Sequence, residues 1–294
     1  MSDPWIVIAN ATSGGGRAQR LMAEVVDQLR DRGVKSEVLW TRRRGDGERL
    51  ARAALDRGAN QIAICGGDGT IHEVVNVLVK SDVVVGLVPG GRGNDLARAL
   101  GVPKDARGIV ETLINGAERQ IDLGRIGERY FCTVASLGFD TTVARTVYEN
   151  RVPFSGPLAY TLAILKCLGP FACPDVTLTA DFGKFEGKIF LVATGNTAFY
   201  GSGIRVTPGA IADSGQFEVC LVPQLPKWRA LWLFSKAFSG RHVASEKVRV
   251  EKTQKLLIAS QEPLWIFADG EPVCQTPATL ELVPKVLRIR VPRV

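Results

Sequence analysis

The chain has 294 residues, of which 46% are hydrophobic and 23% charged, a composition typical of globular proteins and unlike that of disordered ones. This length suits two domains. The net charge of +7 favours an anionic ligand or a membrane surface. No block of Lys and Arg is long enough for a nucleic-acid-binding tail, so we expect no nucleic-acid partner.

The N-terminal segment and the cysteines indicate the compartment. Asp3 and the strand pattern directly after it do not fit a secretion signal, and no apolar run approaches the roughly 20 residues of a transmembrane helix. The six cysteines are scattered, without a Cys-x-x-Cys pair, which favours buried free thiols over disulfides or zinc. We therefore expect a cytoplasmic protein.

The first 120 residues alternate between strand and helix patterns. The four predicted strands are WIVIA, SEVLW, QIAIC and VVVGLVP, and an amphipathic helix pattern follows each of them. Strands that alternate with helices of this length predict right-handed crossovers and a parallel sheet. We predict a doubly wound α/β domain.

After residue 120 the pattern changes to short, closely spaced segments rich in β-branched residues. This density predicts an antiparallel β-sandwich or an open barrel. Helical patterns interrupt it near residues 157–168 and 226–238. Since no Pro- or Ser-rich linker separates the two parts, we expect the domains to meet across a cleft.

A glycine-rich turn follows the third predicted strand. Gly66, Gly67 and Gly69 surround Asp68 at the start of a helix pattern. Such a turn exposes backbone N–H groups beside the positive end of a helix, and glycine allows close approach and a positive φ. Asp68 could then hold Mg²⁺, usually through water. On these residues alone, a plain turn with a helix cap is equally well supported.

A second glycine loop follows the fourth strand. It contains Gly90, Gly91 and Gly93, with Asn94 and Asp95 where a helix would begin. Taken alone, an N-cap role for Asn94 or Asp95 is the favoured interpretation. Two such loops at successive strand ends face one crevice, however, and that arrangement indicates a nucleotide site.

Two further stretches could carry chemistry. The loop after the first strand supplies polar and backbone donors at a helix start, although it matches neither a P-loop nor a GxGxxG turn. In the β-rich half, Asp269 and Glu271 flank a glycine, with Pro272 expected to stop the strand. Periodicity alone does not distinguish this stretch from an ordinary acidic hairpin turn.

Together these stretches resemble the diacylglycerol kinase catalytic family, the soluble lipid kinases that include sphingosine and ceramide kinases and bacterial diacylglycerol kinase-like proteins. The resemblance covers nearly the whole chain. The matching features, in order, are Asn10 to Gly14, Thr41 with Gly45, Gly66 to Thr70 with Glu73 and Asn76, Pro89 to Arg98, Gly195-Asn196 with Tyr200-Gly201, and Asp269-Gly270-Glu271.

The resemblance implies a nucleotide-binding domain over residues 1–120, joined by a returning final strand at 284–294, and a β-sandwich domain for the lipid substrate over 121–283. ATP would lie in the cleft with its phosphates over the first glycine turn. The residues implied in nucleotide binding are Asn10, Ser13, Gly14, Thr41, Gly66, Gly67, Asp68, Gly69, Thr70, Glu73, Gly93 and Asn94.

The resemblance also implies the catalytic groups. Asp68 would organise the catalytic Mg²⁺ with support from Asp95. Glu271 is favoured as the base that accepts the proton of the lipid hydroxyl, with Asp269 beside it, although the sequence does not separate the two. A second, structural Mg²⁺ would lie at Asp213. There the chain has Asp-Ser-Gly where the family usually has Asp-Asp-Gly, which weakens that prediction.

The expected function is therefore transfer of the γ-phosphoryl group of ATP to a lipid hydroxyl, with diacylglycerol as the expected acceptor and phosphatidic acid as the product. An NAD kinase-like phosphotransferase and a catalytically inactive nucleotide- or lipid-binding module are the alternatives. At Gly91-Arg92-Gly93 the chain has Arg92 where the family usually has threonine. The sequence does not fix the oligomeric state, and a homodimer is compatible with it.

The segment KWRALWLFSKAFSGRH, residues 227–242, mixes aromatic and basic side chains. On a helix this mixture suits contact with anionic lipid at a membrane surface. A helix that packs its aromatic stripe on the sandwich is at least as well supported. With a lipid substrate, we expect transient peripheral association with membranes.

Overall fold

A computed structural model describes residues 3–149 and 157–293 of the chain. It divides into two compact units. The first comprises Met1–Leu123, Gly201–Gly203 and Val283–Val294, and the second comprises Gly124–Tyr200 and Ile204–Leu282. Within the described ranges, no helix is long and apolar enough to span a membrane.

The first unit alternates strands and helices, as predicted. Its elements are β1 (Trp5–Asn10), α1 (Arg17–Asp31), β2 (Ser36–Thr41), α2 (Asp46–Asp56), β3 (Gln61–Gly66), α3 (Asp68–Leu78), β4 (Val84–Pro89), α4 (Asp95–Ala99) and α5 (Ala106–Asn115). A short 3₁₀ turn at Ser13–Gly15 precedes α1.

The strands of the first unit form a parallel sheet in the order β2-β1-β3-β4. Ile8 of β1 lies beside Leu39 of β2 and Ile64 of β3, so the strands are in register at their carboxyl ends. The central strands are buried along nearly their whole length, as expected for a parallel sheet covered on both faces. Val25 and Leu29 of α1 are fully buried against one of these faces. The predicted α/β fold is confirmed.

The second unit is built mainly of antiparallel strands. Its elements begin with β5 (Ala117–Ile126, which starts in the first unit), and continue with β6 (Arg129–Phe131), β7 (Val134–Gly138), α6 (Phe139–Tyr148), α7 (Pro157–Leu168), β8 (Asp175–Ala180), β9 (Gly183–Gly195), β10 (Phe217–Pro223), α8 (Lys227–Ala237), β11 (Arg249–Thr253), β12 (Lys255–Ser260), β13 (Trp265–Ala268), β14 (Glu271–Gln275) and β15 (Ala278–Val291).

The long strand β9 connects two sheets of this unit. Its first half pairs with β8, and its second half lies between β7 and β10. Strands β13 and β14 extend the β7 side, while β12 and β15 extend the β8 side. Phe131 and Phe217 stack in the buried core at 5.7 Å between ring centroids. The predicted antiparallel β-sandwich with helical inserts is confirmed.

The predicted inserts correspond to α7 and α8, whereas α6 was not predicted from the sequence. Its segment is rich in Thr and Val, residues of low helix propensity. Thr142 and Thr146 donate their hydroxyls to carbonyls four residues earlier, and Val143 packs with Ala163 of α7. Tertiary packing therefore overrides local propensity here.

The expectation that Pro272 stops a strand is wrong. Pro272 lies inside β14, opposite Phe267, where the pairing with β13 shifts register. β14 is the last strand of its sheet, and an edge strand tolerates a residue without an N–H donor. The turn therefore ends at Gly270, and Glu271 is the first residue of β14.

The last strand contributes to both units. The first half of β15 pairs antiparallel with β12, placing Leu280 opposite Leu256, and its second half runs parallel to β4, placing Ile289 beside Val85. All six cysteines are free thiols, and four of them are buried.

Candidate active site

Two glycine loops meet at the carboxyl ends of β3 and β4. The Gly66 carbonyl accepts the N–H groups of Gly90 and Gly91 at 3.1 and 3.0 Å. A Cβ on Gly91 would lie 2.4 Å from Cα of Gly67, so the loops touch backbone to backbone. None of these glycines has a positive φ. Glycine is required here for close approach, and Gly66 and Gly67 do not use the positive φ that glycine also allows.

The loop after β1 joins the same group. Gly14 has φ +62, and a Cβ there would lie 2.4 Å from the Gly90 carbonyl oxygen. Asn10 donates its side-chain N–H to Thr70 Oγ1 at 3.4 Å and accepts the Thr12 N–H at 3.1 Å. Three strand ends thus bring their loops together at one edge of the parallel sheet, where open α/β sheets bind ligands.

Asp68 connects two of these loops. It is the first residue of α3, and its Oδ1 accepts the Asp95 N–H at 2.7 Å. A Cβ on Gly93 would lie 2.5 Å from Asp68 Oδ2, so only glycine leaves room for this carboxylate. At the start of α3, the Ile71 N–H donates to the Gly67 carbonyl at 3.1 Å. The N–H groups ahead of it point towards the start of the helix, where phosphate binds readily.

Asn94 and Asp95 stabilise the second loop. The Asn94 side chain accepts the Gly91 N–H at 2.9 Å and donates to the Gly91 carbonyl at 2.8 Å, so it closes the loop and does not cap α4. Asp95 is buried, with Oδ1 accepting from Arg98 at 2.9 Å and Oδ2 accepting the Ser202 N–H at 2.9 Å. Both carboxylate oxygens are engaged, which favours a positioning role over the predicted support of a metal.

Glu73 has a similar role at the turn after β2. Its two carboxylate oxygens accept the N–H groups of Gly45 and Gly47, each at 2.9 Å. Thr41 ends β2 beside Asn10 of β1. Glu73 therefore stabilises the turn that follows Thr41. This geometry favours a role for Glu73 in positioning that turn over direct contact with a nucleotide.

Sequence reasoning missed Asp46 and Ser202 at this edge, and it assigned no role to Arg98 within the matching stretch Pro89 to Arg98. Asp46 accepts the backbone N–H groups of Arg42 and Arg43, and the bond from Arg42 holds the pKa of Asp46 below its ordinary value. Arg98 and Ser202 hold Asp95. An aspartate directly after Gly45 at a helix start was a signal for Asp46, whereas nothing in the sequence connects Ser202 to a residue 107 positions earlier.

In the second unit, the Asp269-Gly270-Glu271 turn joins β13 to β14. Asp269 has φ +52 and accepts the Cys132 N–H at 2.8 Å on Oδ2. Its Oδ1 accepts both the N–H and the hydroxyl of Thr133, at 2.8 and 2.6 Å. The Asp269 carboxylate thus fixes the turn to the segment between β6 and β7. Glu271 is half-buried at the start of β14, directly after this turn.

A further carboxylate of the second unit, Asp140, was not singled out from the sequence. It lies in the first turn of α6, where burial raises its pKa to about 6, while hydrogen bonds from Ser136 and Tyr200 act in the opposite direction. Ser136 pairs with Phe267 of β13, the strand that leads to the acidic turn. In the sequence, only the Gly-Phe-Asp pattern after a strand could have pointed to Asp140.

The acidic side chains of the described residues offer Mg²⁺ no clustered set of protein ligands. Residues 3–149 and 157–293 contain no group of three or more His, Cys, Asp or Glu side chains that could hold a metal ion. Mg²⁺ commonly binds through one or two carboxylates together with substrate phosphates and water, so Asp68 alone fits such a role. Asp213 lies in an exposed turn, and a structural metal there stays a prediction.

Two models of known protein families together match nearly the whole chain. The model described as "Diacylglycerol kinase catalytic domain" matches residues 4–126, and the model described as "YegS C-terminal NAD kinase beta sandwich-like domain" matches residues 133–291, more than half of the chain. The chain belongs to the diacylglycerol kinase and YegS-like lipid kinase family. Membership of this lipid kinase family confirms the predicted resemblance and the predicted class of enzyme, a phosphotransferase.

Relatives of this lipid kinase match along nearly their full length. The "Probable lipid kinase YegS-like" protein of Xanthomonas euvesicatoria pv. vesicatoria (strain 85-10) is 32% identical over 299 residues, covering 98% of this chain and 96% of the relative. The "Diacylglycerol kinase" of Mycobacterium tuberculosis (strain ATCC 25618 / H37Rv) is 29% identical over 293 residues, covering 97% and 94%. A crystal structure of a diacylglycerol kinase from Bacillus anthracis str. Sterne shares the fold, with a TM-score of 0.75, 19% identity and coverage of 98% and 97%.

Proposed function

We propose that this lipid kinase transfers the γ-phosphoryl group of ATP to the free hydroxyl of diacylglycerol and so produces phosphatidic acid. One observation carries the proposal: the glycine loops after β1, β3 and β4 touch backbone to backbone at the carboxyl edge of the parallel sheet. Family membership supports the reaction class, and relatives named diacylglycerol kinase support the acceptor.

The glycine loops of the first unit suit a polyphosphate. Phosphoryl transfer proceeds through a loose transition state with negative charge spread over the transferred group, so positioning and charge neutralisation provide most of the catalysis. Backbone N–H groups at the start of α3 supply fixed donors of this kind. The exposed side chain of Arg92, in the loop after β4, would add a positive charge near bound phosphate.

Asp68 is the residue that would hold Mg²⁺ with the nucleotide. When bound there, the ion would neutralise charge on phosphate oxygens. Asp68 is fixed by the Asp95 N–H, and Asp95 is itself fixed by Arg98 and Ser202. The chain thus orients one carboxylate through a sequence of hydrogen bonds.

Glu271 is the proposed general base. As the diacylglycerol oxygen forms its bond to the γ-phosphorus, the bond from that phosphorus to the β–γ bridging oxygen breaks, and ADP leaves. The hydroxyl proton passes to the Glu271 carboxylate. Asp269 is the positioning residue, because its three accepted hydrogen bonds hold the turn on which Glu271 lies.

The acceptor can be tested directly. The purified protein is incubated with ATP labelled on the γ-phosphate, Mg²⁺, and either mixed micelles containing diacylglycerol or NAD. We expect label in chloroform-extractable phosphatidic acid and its loss on addition of EDTA. Sphingosine and ceramide micelles serve as matched acceptors that offer a different hydroxyl.

Each result bears on the proposal. Label only in a sphingoid or ceramide phosphate would retain the lipid kinase and overturn the diacylglycerol assignment. Label only in NADP would support the NAD kinase-like alternative. The family description of the second domain also refers to an NAD kinase-like β-sandwich. ATP binding without transfer to any acceptor would indicate an inactive binding module.

A further inference from the structure

Helix α8 has an unusual arrangement of large and small side chains. It buries Ala230, Leu233 and Ala237, while its tryptophans point to solvent. Trp228 is 65% exposed and Trp232 50% exposed. A helix that packs on a domain normally buries its largest apolar side chains. The aromatic stripe therefore does not pack on the sandwich, which removes the alternative that the sequence left open.

The exposed apolar residues of α8 form one continuous outer face. At about 100° per residue, Trp228, Leu231 and Trp232 lie opposite the buried stripe. Phe238, 56% exposed, extends this face just beyond the end of the helix, and its ring contacts that of Phe234 edge-on. We call these five residues the α8 aromatic face. An apolar exposure of this kind marks an interaction surface.

Basic side chains border the α8 aromatic face. At the same helical spacing, Arg229 and Lys236 lie together along one side of it, and Lys227 lies at its start in the first turn of the helix. Lys236 Nζ lies 3.6 Å from the centroid of the Trp232 ring, and the Arg229 guanidinium lies 5.1 Å from that of Trp228. Residues 227–245 contain no Asp or Glu.

We propose that α8 docks this protein on anionic lipid bilayers, with the α8 aromatic face in the interfacial region and the flanking cations on lipid phosphates. Tryptophan prefers the boundary between headgroups and acyl chains, because its ring is apolar and its N–H remains hydrated. Each cation near an anionic leaflet adds further attraction. Charge complementarity selects this occupant, since a second copy of α8 would bring cations against cations.

The surroundings of α8 fit an interfacial position. A groove of about 500 Å³ lies between the helix and residues 245–247, lined by Trp228, Trp232 and Leu233 on the helix and by Glu246 and Lys247 on the other side. Lys227 donates to the Gly169 carbonyl just after α7, and Leu165 of α7 is itself largely exposed. The apolar surface therefore continues from α8 towards the end of α7, within the same unit.

Vesicle binding tests the proposal. The whole protein is sedimented with vesicles of phosphatidylcholine alone or mixed with phosphatidylglycerol. The variants are Trp228→Ala/Trp232→Ala and Arg229→Gln/Lys236→Gln. The matched controls are Trp40→Ala, an exposed tryptophan of β2, and Lys35→Gln/Lys252→Gln, two exposed lysines outside α8.

We expect the wild type to bind mixed vesicles far more tightly than phosphatidylcholine alone. The tryptophan pair should weaken that binding on the order of tenfold or more. The cation pair should weaken it by about fivefold per charge and reduce its dependence on salt. Both control variants should bind like the wild type.

Three results would overturn the proposal: no wild-type binding to mixed vesicles, equal binding by the α8 variants, or equal losses in the control variants. If α8 instead contacts a second copy, the wild type sediments as a dimer without vesicles and Trp228→Ala/Trp232→Ala as a monomer. Vesicle binding needs no turnover, so its failure is distinguishable from failure of the proposed kinase function.

A link to catalysis rests on the proposed function. The tryptophan pair should lose activity towards diacylglycerol embedded in mixed vesicles but retain wild-type activity towards a dispersed short-chain diacylglycerol. Equal activity on both substrates would show that α8 does not deliver the enzyme to its acceptor.

Discussion

The first unit presents mainly backbone groups at its candidate site, whereas the second presents a side chain. In the first, Gly91 and Gly67 touch through their backbones, and the carboxylates of Glu73 and Asp95 are spent on holding loops in place. In the second, the Asp269 carboxylate likewise holds its turn in place, and Glu271 on the same turn is the base that we propose. Substitutions in the first unit should therefore act by steric clash between the loops. Substitutions in the second unit should act by removing a carboxylate.

The largest expected effect is on the base. Glu271→Gln keeps the size of the side chain but cannot accept the proton, so turnover should fall by about 10²–10⁴-fold. ATP affinity, measured by calorimetry, should stay within about twofold, because the first unit supplies the nucleotide contacts we propose. Glu262→Gln, an exposed carboxylate elsewhere in the same unit, is the control. Near-normal turnover in Glu271→Gln would remove Glu271 from the mechanism.

A single methyl group added to Gly91 should disrupt the contact between the two glycine loops of the first unit. In Gly91→Ala the new Cβ would lie 2.4 Å from Gly67 Cα, a clash that only backbone movement relieves. We expect a loss of about 1–3 kcal/mol in the free energy of unfolding and weaker ATP binding. In Gly67→Ala the nearest atom is 3.5 Å away, so this matched variant should keep its stability in urea denaturation. Equal stability of the two variants would contradict the close approach.

Asp269→Asn separates positioning from catalysis in the second unit. The amide retains one acceptor oxygen where the carboxylate used two, so a bond to Cys132 or Thr133 is lost. The free energy of unfolding should fall by about 1–3 kcal/mol. Turnover should fall less than in Glu271→Gln, because the base remains. Complete loss of turnover at unchanged stability would instead assign the proton transfer to Asp269.

The smallest effect concerns the pH dependence of stability. Burial raises the pKa of Asp140 to about 6 from an ordinary value of 3.8, so the folded protein holds this proton more tightly than the unfolded chain. The stability that the neutral carboxyl contributes is complete below pH 4 and is lost as the pH rises to about 6. As the pH rises across this window, Asp140→Asn should therefore gain up to about 3 kcal/mol in free energy of unfolding relative to the wild type, measured as a growing difference in Tm. A constant difference in Tm between pH 4 and 7 would show that Asp140 does not titrate there.

Sequence patterns predicted the elements of the first unit well because its buried strands alternate with strongly amphipathic helices. They also predicted two glycine loops on successive strand ends, since that inference needs only strand order. They missed α6, where Thr142 and Thr146 satisfy their hydroxyls within the helix and packing on α7 outweighs propensity. The prediction that Pro272 ends a strand failed because a sequence does not reveal that β14 is an edge strand.

The roles of individual carboxylates were harder to predict. Asp95 and Asp269 are each committed to hydrogen bonds with segments more than a hundred residues away. A sequence shows that a carboxylate is present but not which of its oxygens are already used. For the same reason the outward direction of Trp228 and Trp232 could not be inferred, because an aromatic stripe has the same spacing whether it faces a core or solvent.

Strand β15 has a consequence for synthesis of the protein. Its residues Arg288 and Ile289 pair with Val84 and Val85 of β4, more than two hundred positions earlier. Until Arg288 and Ile289 leave the ribosome, β4 is an edge strand with unpaired backbone groups, the kind of edge that recruits other chains. The parallel sheet of the first unit is therefore completed only after the sandwich strands that precede β15 have been made. A nascent chain that stalls before β15 would expose an aggregation-prone edge for the whole time that the sandwich is being made.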